Sequence, residues 1–207
     1  MKKLLHIVVG AGIVGVIGLA GTAVYAATTA NSTLSQTISA GTLSTDIRDG
    51  SDGIVTNPTF AMGAVTVSTA AQNATGKFGE ADKRITVDNP GGANNGWTLT
   101  LNATTPGSTW TSGANTYKYN GTATDGQLTV NPAAGSLTSL TGTSTGITLG
   151  QEATFSGAAP VTLVNAAANS DDVWRGYVTG VDLKQAIPAG QAPGSYTLPM
   201  TQTVTAV

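Results

Sequence analysis

The residues best able to do chemistry lie between positions 169 and 175, where Asp171 and Asp172 precede Trp174. Two carboxylates beside an aromatic ring are the groups that a glycosidase uses, but the carboxyl groups must stand about 5–10 Å apart across a sugar cleft. Adjacent aspartates point in different directions along a strand or turn. The preceding Asn169-Ser170 is typical of a turn, so the pattern favours a turn over a catalytic pair.

The histidine base that usually activates a serine or cysteine nucleophile is absent after position 6. The sequence has no cysteine and one histidine, His6, which lies in an apolar N-terminal segment. Serine and cysteine hydrolases need a base to activate the nucleophile, usually histidine, and ordinary zinc sites need the same ligands. We therefore expect a protein that is not an enzyme, with a secreted polysaccharide-active enzyme as the weakest alternative.

An acidic loop offers a candidate calcium site, since Asp46, Asp49 and Asp52 follow one another at every third position before Gly53. Calcium takes six to eight oxygen ligands. The spacing misses the EF-hand pattern, and a solvated turn remains the alternative to a calcium-binding loop. No other cofactor is predicted.

Aromatic residues are the candidate binding groups. Trp97 alternates in phase with Leu99 and Leu101, which predicts that it packs in the core, although it could also shape a binding face. Tyr117 and Tyr119 share a face in a segment with few aliphatic residues, which makes them candidates for an exposed aromatic patch, with core packing as the alternative.

The elements that must position these residues begin after an export signal. Residues 1–26 are predicted to be an apolar signal helix that begins with Lys2 and Lys3, either a signal peptide cleaved after Ala26 or a retained membrane anchor. Residues 27–32 are expected to be a flexible link, and residues 33–207 one β domain. Only this N-terminal segment is expected to meet a membrane.

The remaining chain is almost all strand and turn by its apolar alternation. This pattern predicts an all-β protein, a β-sandwich or Greek-key barrel. Asn131–Gly150 is read as an ordered wide loop or a mobile insertion. The predicted strands are Thr33–Leu43, Phe60–Ser68, Arg84–Val87, Gly96–Ala103, Gln127–Val130, Gly146–Leu149, Pro160–Val164, Trp174–Leu183 and Ser195–Ala206.

Two segments carry a family resemblance. Gly96-Trp97-Thr98-Leu99, behind a glycine-rich turn, resembles the first signature of the WxL domain of Gram-positive cell surfaces. Gly194-Ser195-Tyr196-Thr197 is similar to the first half of the second signature. The second Trp-x-Leu is replaced by Gln202-Thr203-Val204, so the chain resembles a divergent member.

The departure at the C-terminus has a physical reading. Gln202 shares a face with Tyr196 and Val204, so it is either buried with hydrogen-bond partners or at the edge of the domain. Pro199 cannot donate a ladder hydrogen bond, which predicts an edge strand or a bulge. Leu198–Gln202 also resembles a sortase signal, but the apolar stretch and basic tail that such a signal needs do not follow it.

The resemblance implies a bacterial cell-surface protein that associates non-covalently with peptidoglycan or with other surface proteins. Trp97, Leu99 and Tyr196 would contribute to the binding face, with Tyr117 and Tyr119 as further candidates. The net charge of −2 on 207 residues gives no basic face for nucleic acid. Low charge and threonine-rich strands leave a second hypothesis, a self-assembling subunit of a surface layer or fibre.

Overall fold

The computed structural model describes residues 29–91, 95–170 and 173–207, in which the regular structure is β-strand apart from one short 3-10 turn, Pro132–Ala134. The all-β prediction is confirmed. The strands are β1 (Ser44–Arg48), β2 (Gln72–Phe78), β3 (Arg84–Asn89), β4 (Trp97–Ala103), β5 (Trp110–Ser112), β6 (Asn115–Tyr117), β7 (Gln127–Asn131), β8 (Ser136–Thr141), β9 (Ile147–Leu149), β10 (Ala153–Thr154), β11 (Val161–Ala166), β12 (Trp174–Thr179), β13 (Val181–Ile187) and β14 (Met200–Ala206).

The chain divides into two compact units, Met1–Ile38 and Ser39–Val207. All described strands belong to the second unit. The predicted signal or anchor, residues 1–26, lies outside the described residues, and residues 29–38 of the first unit form no helix or strand. Among the three described ranges there is no helix that could cross a bilayer.

The strands of the second unit form three four-stranded sheets and one hairpin, all antiparallel. We call the sheets A, B and C. Sheet A has the order β1-β3-β12-β8, sheet B has β10-β7-β13-β2, and sheet C has β14-β4-β11-β9; β5 and β6 pair only with each other.

Sheets A and B meet at a glycine corner. Three connections pass from one sheet to the other, β2 to β3, β7 to β8 and β12 to β13. The order β3-β12-β8 in sheet A therefore matches the order β2-β13-β7 in sheet B. Gly79 and Gly180 have φ angles of 80° and 76°, a conformation that side chains with a Cβ disfavour. The Gly180 amide donates to the Gly79 carbonyl at 2.7 Å, which joins two of the turns.

The core is sandwich-like, because alternate residues of sheet C pack against the other sheets. β4 alternates between buried and half-buried positions along its whole length. Its Trp97 is 1% exposed and packs against Trp174 of β12 in sheet A, with ring centroids 5.4 Å apart. The prediction that Trp97 belongs to the core is therefore confirmed.

Several strand predictions were wrong. Thr33–Leu43 contains no strand, and Phe60–Ser68 makes only an isolated bridge, between Met62 and Gly76. Trp174–Leu183 is two strands, because the chain turns at Gly180. Apolar alternation supplies strand propensity, but a strand also needs a neighbouring strand edge to satisfy its backbone groups.

Other strands escaped prediction because their sequences lack apolar alternation. β2 reads Gln-Asn-Ala-Thr-Gly-Lys-Phe and forms by pairing with β13 over its full length. Asn131–Gly150 is the ordered alternative of the two predicted, since it contains the 3-10 turn, β8 and β9.

Candidate functional site

The residues of the first signature face inward. Trp97 and Leu99 are 1% and 0% exposed, so their side chains offer no surface to a ligand. In the β4–β14 ladder Trp97 pairs with Ala206 and Ala103 pairs with Met200. Tyr196 precedes Met200, so it lies beyond the end of the ladder opposite Trp97. The structure therefore does not bring Trp97 and Tyr196 into one binding face.

Tyr117 and Tyr119 have different surroundings. Tyr119 is 1% exposed and packs edge-on against Phe155, with centroids 5.2 Å apart. The predicted exposed patch is therefore wrong for Tyr119, because its segment leaves β6 and turns into the core. Tyr117 is half-buried at the end of β6 and stacks on Trp110, with centroids 6.0 Å apart and planes 11° apart.

Three aromatic side chains line a groove of about 590 Å³, which we call the aromatic groove. They are Trp110 of β5, Tyr117 of β6 and Tyr196, whose ring meets Tyr117 edge-on at 5.1 Å. Two irregular segments, residues 62–68 and 188–196, form much of the remaining wall. The volume lies within the range of small-molecule sites, about 300–1,000 Å³.

Gln185 of β13 fixes the tryptophan of the groove. Its side chain is almost fully buried, and its Oε1 accepts a hydrogen bond from Trp110 Nε1 at 2.8 Å. Its Nε2 donates to the carbonyls of Lys118 and Ala186 at 3.2 and 2.7 Å. A buried amide with these partners is satisfied, so Gln185 joins the β5–β6 hairpin to sheet B and sets the orientation of the Trp110 ring.

The second wall is tied to the hairpin. Thr111 of β5 and Thr197 exchange two backbone hydrogen bonds of 3.0 Å. The Tyr196 hydroxyl donates to the Ala192 carbonyl at 2.8 Å and accepts from Gln191 Nε2 at 2.7 Å. Residues 191–197 are thereby held against the hairpin. The predicted strand from Ser195 is wrong over its first part, since β14 begins at Met200.

The groove is uncharged. None of the described residues that line it is Asp, Glu, Lys, Arg or His. Burial raises the pKa of Tyr117 to about 12, with a smaller contribution from Tyr196. The Tyr117 hydroxyl therefore stays protonated at any physiological pH and can donate a hydrogen bond. The groove combines flat apolar rings with neutral hydrogen-bonding groups.

Two aspartates of the acidic loop pair with arginine side chains of the same chain. Asp46 pairs with Arg48 at 3.0 Å, and both Asp52 carboxylate oxygens accept from Arg175 Nη2, at 2.5 and 2.6 Å. The hydrogen bond from Arg175 lowers the pKa of Asp52. Asp49 Oδ1 instead accepts from the amides of residues 51 and 53. Over the described part of the chain, no three His, Asp or Glu side chains are grouped to hold a metal ion.

The remaining predicted positions have mixed outcomes. Among the described strands β14 pairs only with β4 and is an edge strand of sheet C, the first of the two alternatives that Pro199 predicted. Gln202 is half-buried, and its Nε2 donates to Thr45 Oγ1 at 2.7 Å, while its Oε1 has no partner among the described residues. Asp171 and Asp172, the candidate carboxylate pair, lie outside the described residues.

Sequence reasoning named Tyr117 and Tyr196 but did not select Trp110, Gln185 or Gln191. A signal for Trp110 exists, since Trp110 and Tyr117 flank the turn-forming Gly113-Ala114, which is typical of a hairpin. Gln185 interrupts the apolar phase of β13 at a buried position, a pattern that marks a polar group with a specific partner.

Comparison with protein-family models, curated proteins and solved structures finds no match. The resemblance to the WxL domain stays a prediction from sequence.

Proposed function

We propose that the protein is exported, that it is not an enzyme, and that it associates non-covalently with the peptidoglycan of a bacterial cell surface through the aromatic groove. The observation that carries this proposal is the uncharged groove formed by Trp110, Tyr117 and Tyr196. Aromatic rings with one polar end suit ligands that are apolar on one face and hydroxylated on the other. Cell-wall sugars have this character.

The apolar segment Leu4–Ala23 behind two lysines supports the exported location. The lack of histidine after His6 and of any cysteine supports binding without catalysis. The wall association is tested by a pull-down of the full chain with purified peptidoglycan. We expect recovery above that of an unrelated β protein of similar size and charge, and loss of that excess in Trp110→Ala. Recovery equal to the unrelated protein would contradict the proposal.

A second candidate function is a self-assembling structural subunit. β14 favours it, because this edge strand has seven residues, carries no charged side chain and contains no proline. Edges of this kind recruit other strands unless they are protected. β1, at an edge of sheet A, carries Asp46 and Arg48, and β2, at an edge of sheet B, carries Lys77.

The second candidate is tested by electron microscopy of the concentrated full chain and of Thr203→Lys, which places a charge in the centre of β14. Fibres or sheets that the lysine variant fails to form would support self-assembly. Monodisperse particles at all concentrations would rule it out.

A further inference from the structure

We propose that the aromatic groove binds the glycan strand of the wall polymer, and specifically an uncharged N-acetylated amino sugar, rather than its peptide stems or anionic polymers. This inference rests on the proposed function and names the part of the polymer that enters the groove.

The lack of charge in the groove limits which ligands it can hold. A peptide stem carries carboxylates and ammonium groups, and an anionic polymer carries phosphates. Burying such a charge without a partner is costly, and phosphate or carboxylate recognition in proteins relies on arginine and lysine. The described lining residues supply no charged side chain. The groove therefore selects a neutral ligand.

The orientation of the aromatic rings favours a ligand with a flat apolar face. Trp110 and Tyr117 stack with planes only 11° apart, while Tyr196 stands at 63° to Tyr117. The groove therefore has aromatic surfaces in two orientations, one from Trp110 and Tyr117 and the other from Tyr196. A pyranose ring has an apolar face of C–H groups that packs on such a surface, and its edge carries hydroxyl and acetamido groups. Rigid aromatic surfaces supply contact area at low cost in conformational entropy.

Two residues that line the groove offer hydrogen-bonding groups to a ligand. The side chain of Gln191 makes one hydrogen bond within the described chain, to the Tyr196 hydroxyl, which leaves its carbonyl oxygen and one N–H for a ligand. The Tyr117 hydroxyl makes none there and stays protonated because burial raises its pKa to about 12. An acetamido group carries its donor and its acceptor on two separate atoms, so it can bond a carboxamide and a phenol at the same time from different positions, whereas a hydroxyl has both on one oxygen.

Gln185 has a positioning role. Gln185 lines the groove but is only 1% exposed. Its side chain bonds Trp110 Nε1 and the carbonyls of Lys118 and Ala186, so we assign it the role of orienting the Trp110 ring.

The test is calorimetric titration of the full chain with a neutral tetramer of β-1,4-linked N-acetylglucosamine. The same titration is made with the glucose tetramer, which lacks the acetamido group, and with the deacetylated glucosamine tetramer, which is cationic. We expect saturable binding of the N-acetylated tetramer and weaker binding of both others.

Trp110→Ala and Tyr117→Ala are each expected to weaken binding about tenfold, which corresponds to about 1.4 kcal/mol. Tyr117→Phe keeps the ring and is expected to lose less. Tyr177→Ala is the matched control, because Tyr177 is half-buried, packs against Arg84 and does not line the groove. Circular dichroism confirms the fold of each variant, and Trp110→Phe replaces Trp110→Ala if the latter does not fold.

The outcomes separate the two proposals. Binding to whole peptidoglycan without binding to any sugar tetramer would overturn the glycan assignment and leave the wall association standing. Binding to neither would overturn both. Equal binding of the glucose tetramer would overturn the acetamido contact, and tetramer binding insensitive to Trp110 and Tyr117 would overturn the location.

Discussion

Trp97 with Trp174 and Trp110 with Tyr117 are both aromatic pairs joined across neighbouring strands or sheets, yet the first pair is sealed in the core and the second borders a groove. Trp97 and Trp174 are each 1% exposed. Trp110 and Tyr117 are half-buried. The difference lies in what covers the rings: sheets A and C enclose the core pair, whereas a hairpin outside the three sheets carries the groove pair.

Residue type alone does not separate a core ring from a groove-lining ring in this protein. Trp97 carries the family-like signature and is structural, whereas Trp110 carries no motif and lines the groove. The two tryptophans also differ in the hydrogen bonding of their indole N–H groups. Trp110 Nε1 donates to Gln185, but Trp97 Nε1 is buried without a partner among the described residues. Among the described residues, the Trp97 side chain thus contributes through packing.

The largest expected effect comes from breaking the core pair. Trp97→Ala should lower the free energy of unfolding by about 3–5 kcal/mol, because it leaves a cavity between sheets A and C. Trp110→Ala should cost less than half as much, since its ring is already partly in water. Urea unfolding of both variants measures the difference. Equal losses would contradict the distinction between the two pairs.

Adding one methyl group beside the core pair should have the next largest effect. A Cβ at Gly176 would collide with the Trp174 ring and lie 2.5 Å from the Thr138 carbonyl oxygen. Overpacking of this kind costs about 1–3 kcal/mol, so Gly176→Ala should lower the urea midpoint. Gly50→Ala is the control, because a Cβ there meets only ordinary contacts at 3.5 Å or more. Equal urea midpoints for the two variants would contradict the close packing of β12 at Gly176.

Loosening the groove pair without removing it should have a moderate effect. Gln185→Ala leaves Trp110 Nε1 and the Lys118 carbonyl without their partner, which costs about 1–3 kcal/mol for buried groups. We expect altered near-ultraviolet circular dichroism and weaker sugar binding with native far-ultraviolet spectra. Gln127→Ala, which removes only a bond to the Gly121 carbonyl, should keep binding. Unchanged binding in Gln185→Ala would contradict the positioning role.

The smallest effect is expected from acid. It should act near the core pair, where Asp52 bonds Arg175, and not at the groove, whose described lining residues carry no charge. Arg175 follows Trp174 on β12 and lowers the pKa of Asp52 below its ordinary value of 3.8. A lowered pKa stabilises the fold above the unfolded-state value, and this contribution is lost as the pH falls through the folded-state value. The gap in melting temperature between the protein and Asp52→Asn should therefore narrow from pH 7 to pH 3. A constant gap would contradict the linkage.

The sequence was sufficient for the fold class and for the core, and insufficient for the site. β4 could be predicted because every second residue from Trp97 to Leu101 is apolar, a pattern set by local geometry. β2 could not, because its seven residues are mostly polar and become a strand only through β13. The groove depends on such long-range contacts: Trp110 and Gln185 are 75 residues apart. Tyr196 reaches the hairpin through a bridge between Thr111 and Thr197.

The glycine corner has a consequence for how the protein unfolds. Because β2–β3, β7–β8 and β12–β13 all pass through it, each of sheets A and B contains half of the same three chain segments. Unfolding any one of these three segments therefore breaks strand pairs in both sheets. We therefore expect the slowest-exchanging amides of the two sheets to share a single opening free energy in hydrogen exchange. The β5–β6 hairpin, which lies outside the corner, should open at a lower free energy. The proposed binding surface can then change conformation while sheets A and B stay folded.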